Sequence, residues 1–361
     1  MRYFFLLLLF LALLYGSAQA LTEQELLEYQ TEALDTRELE AYLPEGISMG
    51  TSFEDGLSRI LNLVLSQLGS VFREAARSGA IVMVAALLMS LVGSIYTSSG
   101  GDLPDFIPLV GVLAVAGVAV GSSSAFIGLG ADTLGQLDQF SSALLPAMAT
   151  AGTLSGAVTS AAAKYAGTVL FMDILMSISA RVVMPLIYAF IATSIGAAAL
   201  NSDGLRGTAK LLKWITGVLI TTIMLSFVGY LTITGVVSGS ADVVTTRIAK
   251  TTISAVLPVV GSIVADAAET VLAGAALVRN GIGVVGLLAV LSVCLIPILQ
   301  LGAHYLIFKA ASGLSSSLTD QRIGGLIGDL GTAFGMVMGL TGAGAMMLFF
   351  SILSTMRMVI R

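Results

Sequence analysis

"SSALLPAM" (residues 141–148) and "SAVLPVV" (254–260) write nearly the same phrase twice: serine, alanine, two aliphatic residues, proline. The prolines, Pro146 and Pro258, lie 112 positions apart, and so do Pro185 in "VVMPLIY" and Pro297 in "CLIPILQ". Four of the chain's seven prolines therefore fall on one internal offset. Self-similarity at a fixed offset marks a duplicated structural unit. One unit runs from about 106 to 200 and the other from about 215 to 310. In each, an apolar stretch leads through a more polar one to the proline phrase. A segment of small residues follows, then a second apolar stretch that carries the second proline.

Composition says what such a unit is made of. Hydrophobic residues make up 56% of the chain and charged ones 11%, against about 25% charged in a soluble domain. A run of about 20 apolar residues crosses a bilayer core as a helix. Six runs qualify by eye, at about 80–97, 106–124, 180–200, 215–237, 284–308 and 326–353. The expected fold is an all-α, polytopic membrane protein with about six spanning helices and two parallel internal repeats. The stretches at about 140–163 and 252–278 are rich in Ala, Gly, Ser and Thr. They are too polar for a comfortable span and too apolar for a loop. Proline removes an amide donor and breaks the helical ladder, and in a bilayer broken backbone is tolerated only against protein or a wet cavity. The two proline phrases therefore read as re-entrant or shallow half-helices, followed by spans kinked at Pro185 and Pro297.

The N-terminus carries a different signal. Residues 1–20, "MRYFFLLLLFLALLYGSAQA", combine Arg2, an apolar core and a small-x-small ending at Ala18 and Ala20. That is the pattern of a secretory signal peptide, cleaved after Ala20 or kept as an anchor. Either way residue 21 onward is delivered outside the cytoplasm. The segment 21–79 is helical in pattern: Thr22 and Glu25 have capping-box spacing. From 52 to 78 Leu57, Ile60, Leu61, Val64, Leu65 and Leu68 recur at threes and fours. Such an amphipathic helix needs a surface to lie on. The remainder, 80–361, is the membrane domain.

Basic residues mark the cytoplasmic loops. Arg206, Lys210 and Lys213 fall in 201–214, and Lys309 and Arg322 in 309–325. With both loops inside, 21–79 lies outside, in agreement with the signal. Arg73 and Arg77 beside the first span, and Asp102 and Asp105 in 98–105, run against that assignment. The same topology makes the two repeats parallel, related by an axis along the membrane normal.

Few residues could carry chemistry. Cys294 is the single cysteine and His304 the single histidine, so a disulfide, a thiolate metal cluster and a His-dependent triad within one chain are excluded. No cofactor, metal or nucleic-acid motif is present, and the chain does not read as an enzyme. Ten of the 22 acidic residues lie between Glu23 and Asp55, a segment that repels anionic surfaces. Charges within apolar runs are the customary suspects for function. Asp173 and Arg181 share a helix face in the first unit, and Asp266 and Glu269 lie three apart in the second. These four, with Pro146, Pro185, Pro258 and Pro297, are expected to border a central polar cleft. Asp329 and Lys309 near span ends read as snorkelling residues. In "DLGTAFGMVMGL", Gly331, Gly335 and Gly339 recur every four residues. Small residues at this spacing let helices approach closely, either within the bundle or at a subunit seam.

Taken together, the signal peptide, the acidic helical segment, the repeated "SALLP" and "SAVLP" phrases and the glycine-rich last span resemble the stage III sporulation protein AE family of endospore-forming bacteria. The resemblance implies a multi-pass protein of the mother-cell membrane around the forespore. It also implies partners among the other stage III proteins, including a secretion-type ATPase and ring-forming membrane proteins, in a channel that supports forespore development. The family supplies no catalytic residues to carry over. A self-contained secondary transporter is the competing reading, because duplicated units with discontinuous helices suit transporters.

Overall fold

The first helix starts where the sequence provides a cap. Ser52 Oγ accepts a hydrogen bond from the Asp55 amide at 3.2 Å and donates to Asp55 Oδ2 at 2.7 Å. Glu54 and Asp55 then place negative charge at the positive end of the helix. From there α1 runs unbroken over Phe53–Ser98. The computed structural model describes residues 42–44, 47, 51–98, 106–154, 159–233 and 281–359. Within them the chain is helical: α2 is Phe106–Leu154, α3 Thr159–Ile178, α4 Met184–Leu200, α5 Asp203–Ile233, α6 Gly281–Leu318 and α7 Gln321–Val359. A five-residue π-helical turn, Ser179–Val183, joins α3 to α4.

Close approaches fix how these helices run. Gly56 faces Leu288, Gly79 faces Ile307, and Ser90 Oγ donates to the Leu318 carbonyl at 3.2 Å, so α1 and α6 are parallel. Helix α2 is antiparallel to both: Gly111 lies against Met89, Gly130 against Val337 and Leu301, and Gly286 against Leu144. Helices α6 and α7 form a hairpin, and α4 and α5 another. The α4–α5 turn bends at Asn201, whose φ of 48° is left-handed, a conformation that asparagine tolerates. Asp329 on α7 lies within electrostatic reach of Lys210 and Lys213 on α5. That contact puts the turns at 201–202 and 319–320 at one end of the bundle. Both basic loops thus share an end, and α1 starts at the opposite one.

Among the described residues, five helices are long and apolar enough to cross a membrane: Phe53–Ile95, Leu170–Leu200, Asp203–Thr232, Gly283–Leu318 and Gln321–Leu353. The expected run at 106–124 is a shorter apolar stretch, Leu109–Gly121, inside the 49-residue α2. The amphipathic stretch and the first span are likewise one helix. At 46 residues, α1 is about 69 Å long at 1.5 Å per residue, about twice a hydrocarbon core. Its exterior changes accordingly. Arg59, Asn62, Arg73, Glu74 and Arg77 are exposed along its first half together with Leu61, Leu65 and Phe72, whereas the exposed side chains of its second half are nearly all apolar, among them Ile81, Val84, Leu88, Leu91, Val92 and Ile95.

The prolines behave differently from expectation. Helix α2 continues through Pro146 to Leu154, so no half-helix ends there. The carbonyl that Pro146 leaves without its helical donor belongs to Ser142, an exposed residue, and water can take the place of the missing amide. At Pro185 the backbone widens instead. The Met184 amide bonds back to the Ser179 carbonyl across five residues, and the π turn relieves the clash between a proline ring and the carbonyl four residues earlier. Pro297 sits inside continuous α6. Pro258, Asp266, Glu269 and residues 1–20 lie outside the described residues, as does most of the middle of the second repeat.

Candidate functional site

Three places gather polar groups. The first is the outer wall at the end where α1 begins. Asp132, Gln136, Gln139 and Ser142 are the exposed side chains of α2 over that level, beside the charged half of α1. A surface of this kind cannot face lipid. Between α1, α2 and α6 it opens into a cleft of about 390 Å³, lined by Tyr42, Gln67, Gln136, Ser292 and Ile296 among others. Tyr42 packs edge-on against Phe140, with ring centroids 5.1 Å apart, and so closes the cleft on one side. Its lining residues carry no ionisable acid or base apart from the Tyr42 phenol, which leaves general acid–base chemistry without a pair to run it.

The second place joins two of the residues singled out from sequence to a third. Asp173 on α3 and Arg181 in the π turn are both exposed, and both act on Asp138 of α2. Burial pushes the Asp138 carboxyl above the usual carboxylate range. The Asp173 charge adds to the rise, and the Arg181 guanidinium opposes it. Asp138 lies outside the long apolar runs, where charges draw the eye, and was not singled out. Its signal is the polar stripe it shares with Asp132 and Gln136. The π turn that accommodates Pro185 therefore also presents Arg181 toward α2.

The third place is the α6–α7 hairpin at the end with the basic turns. The helices touch through glycine. A Cβ at Gly331 would lie 3.2 Å from Phe308 Cβ and 3.3 Å from the Lys309 amide nitrogen, and one at Gly335 would lie 2.9 Å from the Tyr305 ring. Gly339 has nothing within 4 Å, so the expected four-residue face is used at two of its three positions. Gly324 and Gly328 complete the seam instead, against Ser316 and Ser312. Ser312 Oγ also donates to the Gly324 carbonyl at 2.8 Å. The signal for this seam was the serine-rich end of α6 opposite "GGLIGDLG", which pairs small residues on both strands of the hairpin. The contact is within one chain.

Lys309 crosses the same seam, donating to the Gly328 carbonyl at 3.0 Å and to Thr332 Oγ1 at 2.7 Å. Around the half-buried Asp329 stand Lys213, Lys309 and Lys210. The Ser194 hydroxyl of α4 lies beside its carboxyl but outside hydrogen-bonding geometry. Cys294 and His304 are both core residues, 2% and 1% exposed. His304 is packed against the rings of Phe308 and Phe334. Among the described residues no group of three His, Cys, Asp or Glu side chains is placed to hold a metal ion.

Known proteins resemble this chain along most of its length. A family model described as stage III sporulation protein AE matches residues 38–358. The stage III sporulation protein AE of Bacillus subtilis (strain 168) is 24% identical over 201 residues, 56% of this chain. That alignment spans 50% of the relative's own length. No solved structure matches.

Proposed function

The chain belongs to the stage III sporulation protein AE family, and we propose that it is a non-catalytic membrane subunit of a multi-protein sporulation channel. The channel would join mother cell and forespore, with the chain in the mother-cell membrane around the forespore. Its partners would be the other stage III proteins, a secretion-type ATPase and ring-forming membrane proteins among them. The carrying observation is α1. One helix offers lipid an apolar second half and offers water a charged first half. It packs along parallel α6 at Gly56 and Gly79. A subunit needs such a rigid projection to meet partners beyond the bilayer, whereas a self-contained permease does not.

In this reading the basic turns at 201–214 and 309–325 face the cytoplasm. The projecting wall of α1 and α2 faces the space between the two membranes, and the mature chain begins at Leu21. A photo-crosslinking residue at Asn62 or Gln136, both exposed on the wall, tests the assignment in sporulating cells. Crosslinks to other stage III proteins are expected there, and only lipid adducts at Leu88. A functional protein that yields no protein adduct from either wall position would overturn the reading.

A further inference from the structure

Among the described residues, the turn end of the bundle carries more positive charge than negative: Arg206, Lys210, Lys213, Lys309 and Arg322 against Asp203, Asp320 and Asp329. Helix α5 begins with Arg206, Lys210 and Lys213 at spacings of four and three, on one face. Arg206 is engaged locally, with the Asn201 side-chain oxygen at 2.8 Å and Asp203 at 3.5 Å. Lys210 and Lys213 instead reach toward Asp329, where Lys309 arrives from α6. Lys213 and Lys309 also act on each other. Three ammonium groups from two helices are therefore within electrostatic reach of one carboxylate, and Lys309 is held beside it by its bonds to Gly328 and Thr332. Among the described residues the ammonium groups outnumber the carboxylate, which favours a further anion there.

The level at which the lysines stand points to the anion's source. Trp214 follows Lys213 directly and is 64% exposed, and Leu211 beside it is 54% exposed. Leu200 on the neighbouring turn and Leu314 on α6 are exposed as well. Tryptophan next to lysine, above an apolar exterior, is the arrangement found where hydrocarbon meets headgroups. An acyl chain has an apolar surface to lie along, and its phosphate would fall among the lysines. We propose that Lys210, Lys213 and Lys309 form a binding site for the phosphate of an anionic phospholipid in the leaflet on the side of the basic turns. The lipid clamps the start of α5 to the α6–α7 hairpin, adding to the apolar packing of Ala209 with Ile323, Leu326 and Ile327 in the shared core.

The test uses the full chain, purified in detergent and stripped of lipid, with thermal midpoint and native mass spectrometry as readouts. Phosphatidylglycerol is expected to raise the midpoint and remain bound, while phosphatidylcholine does neither. Each lysine near an anionic headgroup contributes about fivefold in affinity, so Lys210→Gln with Lys213→Gln should weaken phosphatidylglycerol binding roughly 25-fold by the same per-residue figure. Lys210→Arg with Lys213→Arg keeps the charge and should retain binding. Lys309 is left intact because it also bonds the hairpin. Arg206→Gln, engaged elsewhere, should leave binding unchanged, and it serves as the second variant if the double glutamine does not fold. Equal responses to the two lipids, full binding by the double glutamine variant, or loss in Arg206→Gln equal to that in the double variant would each overturn the site. Inorganic phosphate reproducing the whole midpoint shift would assign a soluble anion and overturn the lipid.

Discussion

Replacing Gly331 by leucine probes a point within the hairpin where α6 and α7 nearly touch backbone to backbone. A Cβ there would sit 3.2 Å from Phe308 Cβ, 3.3 Å from the Lys309 nitrogen and 3.4 Å from the Phe308 carbonyl carbon. Backbone atoms cannot rotate away, so the helices must separate by a few tenths of an ångström. Alanine would gain about 1 kcal/mol in helix propensity and lose about 1–3 kcal/mol to overpacking, a net loss of roughly 0–2 kcal/mol. Leucine adds three more carbons with nowhere to go, which puts overpacking near the upper limit of about 3 kcal/mol. The same separation pulls on the Lys309 bonds to Gly328 and Thr332, and a charged hydrogen bond is worth about 1.5–3 kcal/mol. Less about 1 kcal/mol of helix propensity gained, the expected net loss is on the order of 3.5–5 kcal/mol. Gly339→Leu is the control, because nothing lies within 4 Å of it, and it should be neutral or gain up to about 1 kcal/mol. Thermal unfolding of the solubilised protein, followed by fluorescence-detected size exclusion, reads both. If Gly331→Leu unfolds at the wild-type midpoint, or Gly339→Leu falls as far, the seam does not hold the hairpin.

Gly335→Leu should cost less than Gly331→Leu, because the atoms it meets belong to the Tyr305 ring, which can swing; the same thermal assay ranks the two. Asp138 titrates above its unfolded value, so the folded protein loses stability as pH rises through and above the usual carboxylate range. Asp138→Asn should therefore raise the thermal midpoint at pH 7, with the gain vanishing below about pH 4, and a gain constant with pH would refute the assignment. Pro185→Ala restores an amide donor beneath the π turn. It should shift the exposure of Arg181, measured by the rate at which Arg181→Cys reacts with a maleimide in the presence and absence of the alanine. In a Cys294→Ala background, Gln136→Cys and Ser142→Cys should label only from the non-cytoplasmic side of the membrane and Thr208→Cys only from the cytoplasmic side. Labelling of all three from one side would invert or abolish the topology.

Class was legible from sequence, and geometry was not. Hydrophobic content and run length demanded a helical membrane protein, because an unpaired backbone in hydrocarbon leaves only helices or closed barrels. The basic loops at 201–214 and 309–325 do share one end of the bundle, and the order of elements pointed to the right family. Hydropathy cannot tell a side chain that faces lipid from one that faces another helix, since both are apolar. Val285, Leu287 and Leu288 in α6 are apolar because they are buried in protein, whereas Leu88 and Ile95 in α1 are apolar and exposed. The run at 284–308 thus looked like the run at 80–97, and only packing separated them. Proline gave a similar ambiguity. The residue announces a lost amide, but whether the helix breaks depends on what lies around it. Helix α2 carries on through Pro146 beside exposed Ser142, and the chain swells into a π turn before Pro185. The same holds for the glycines. Spacing singled out 331, 335 and 339, but a glycine matters only where a neighbour comes close enough to need it. The register of α6 against α7 chose 324, 328, 331 and 335. Asp138 was not singled out, and Lys210 read only as a mark of a cytoplasmic loop, for the same reason: a charge becomes a site when separate helices bring others to it, and that distance is a property of the folded bundle alone.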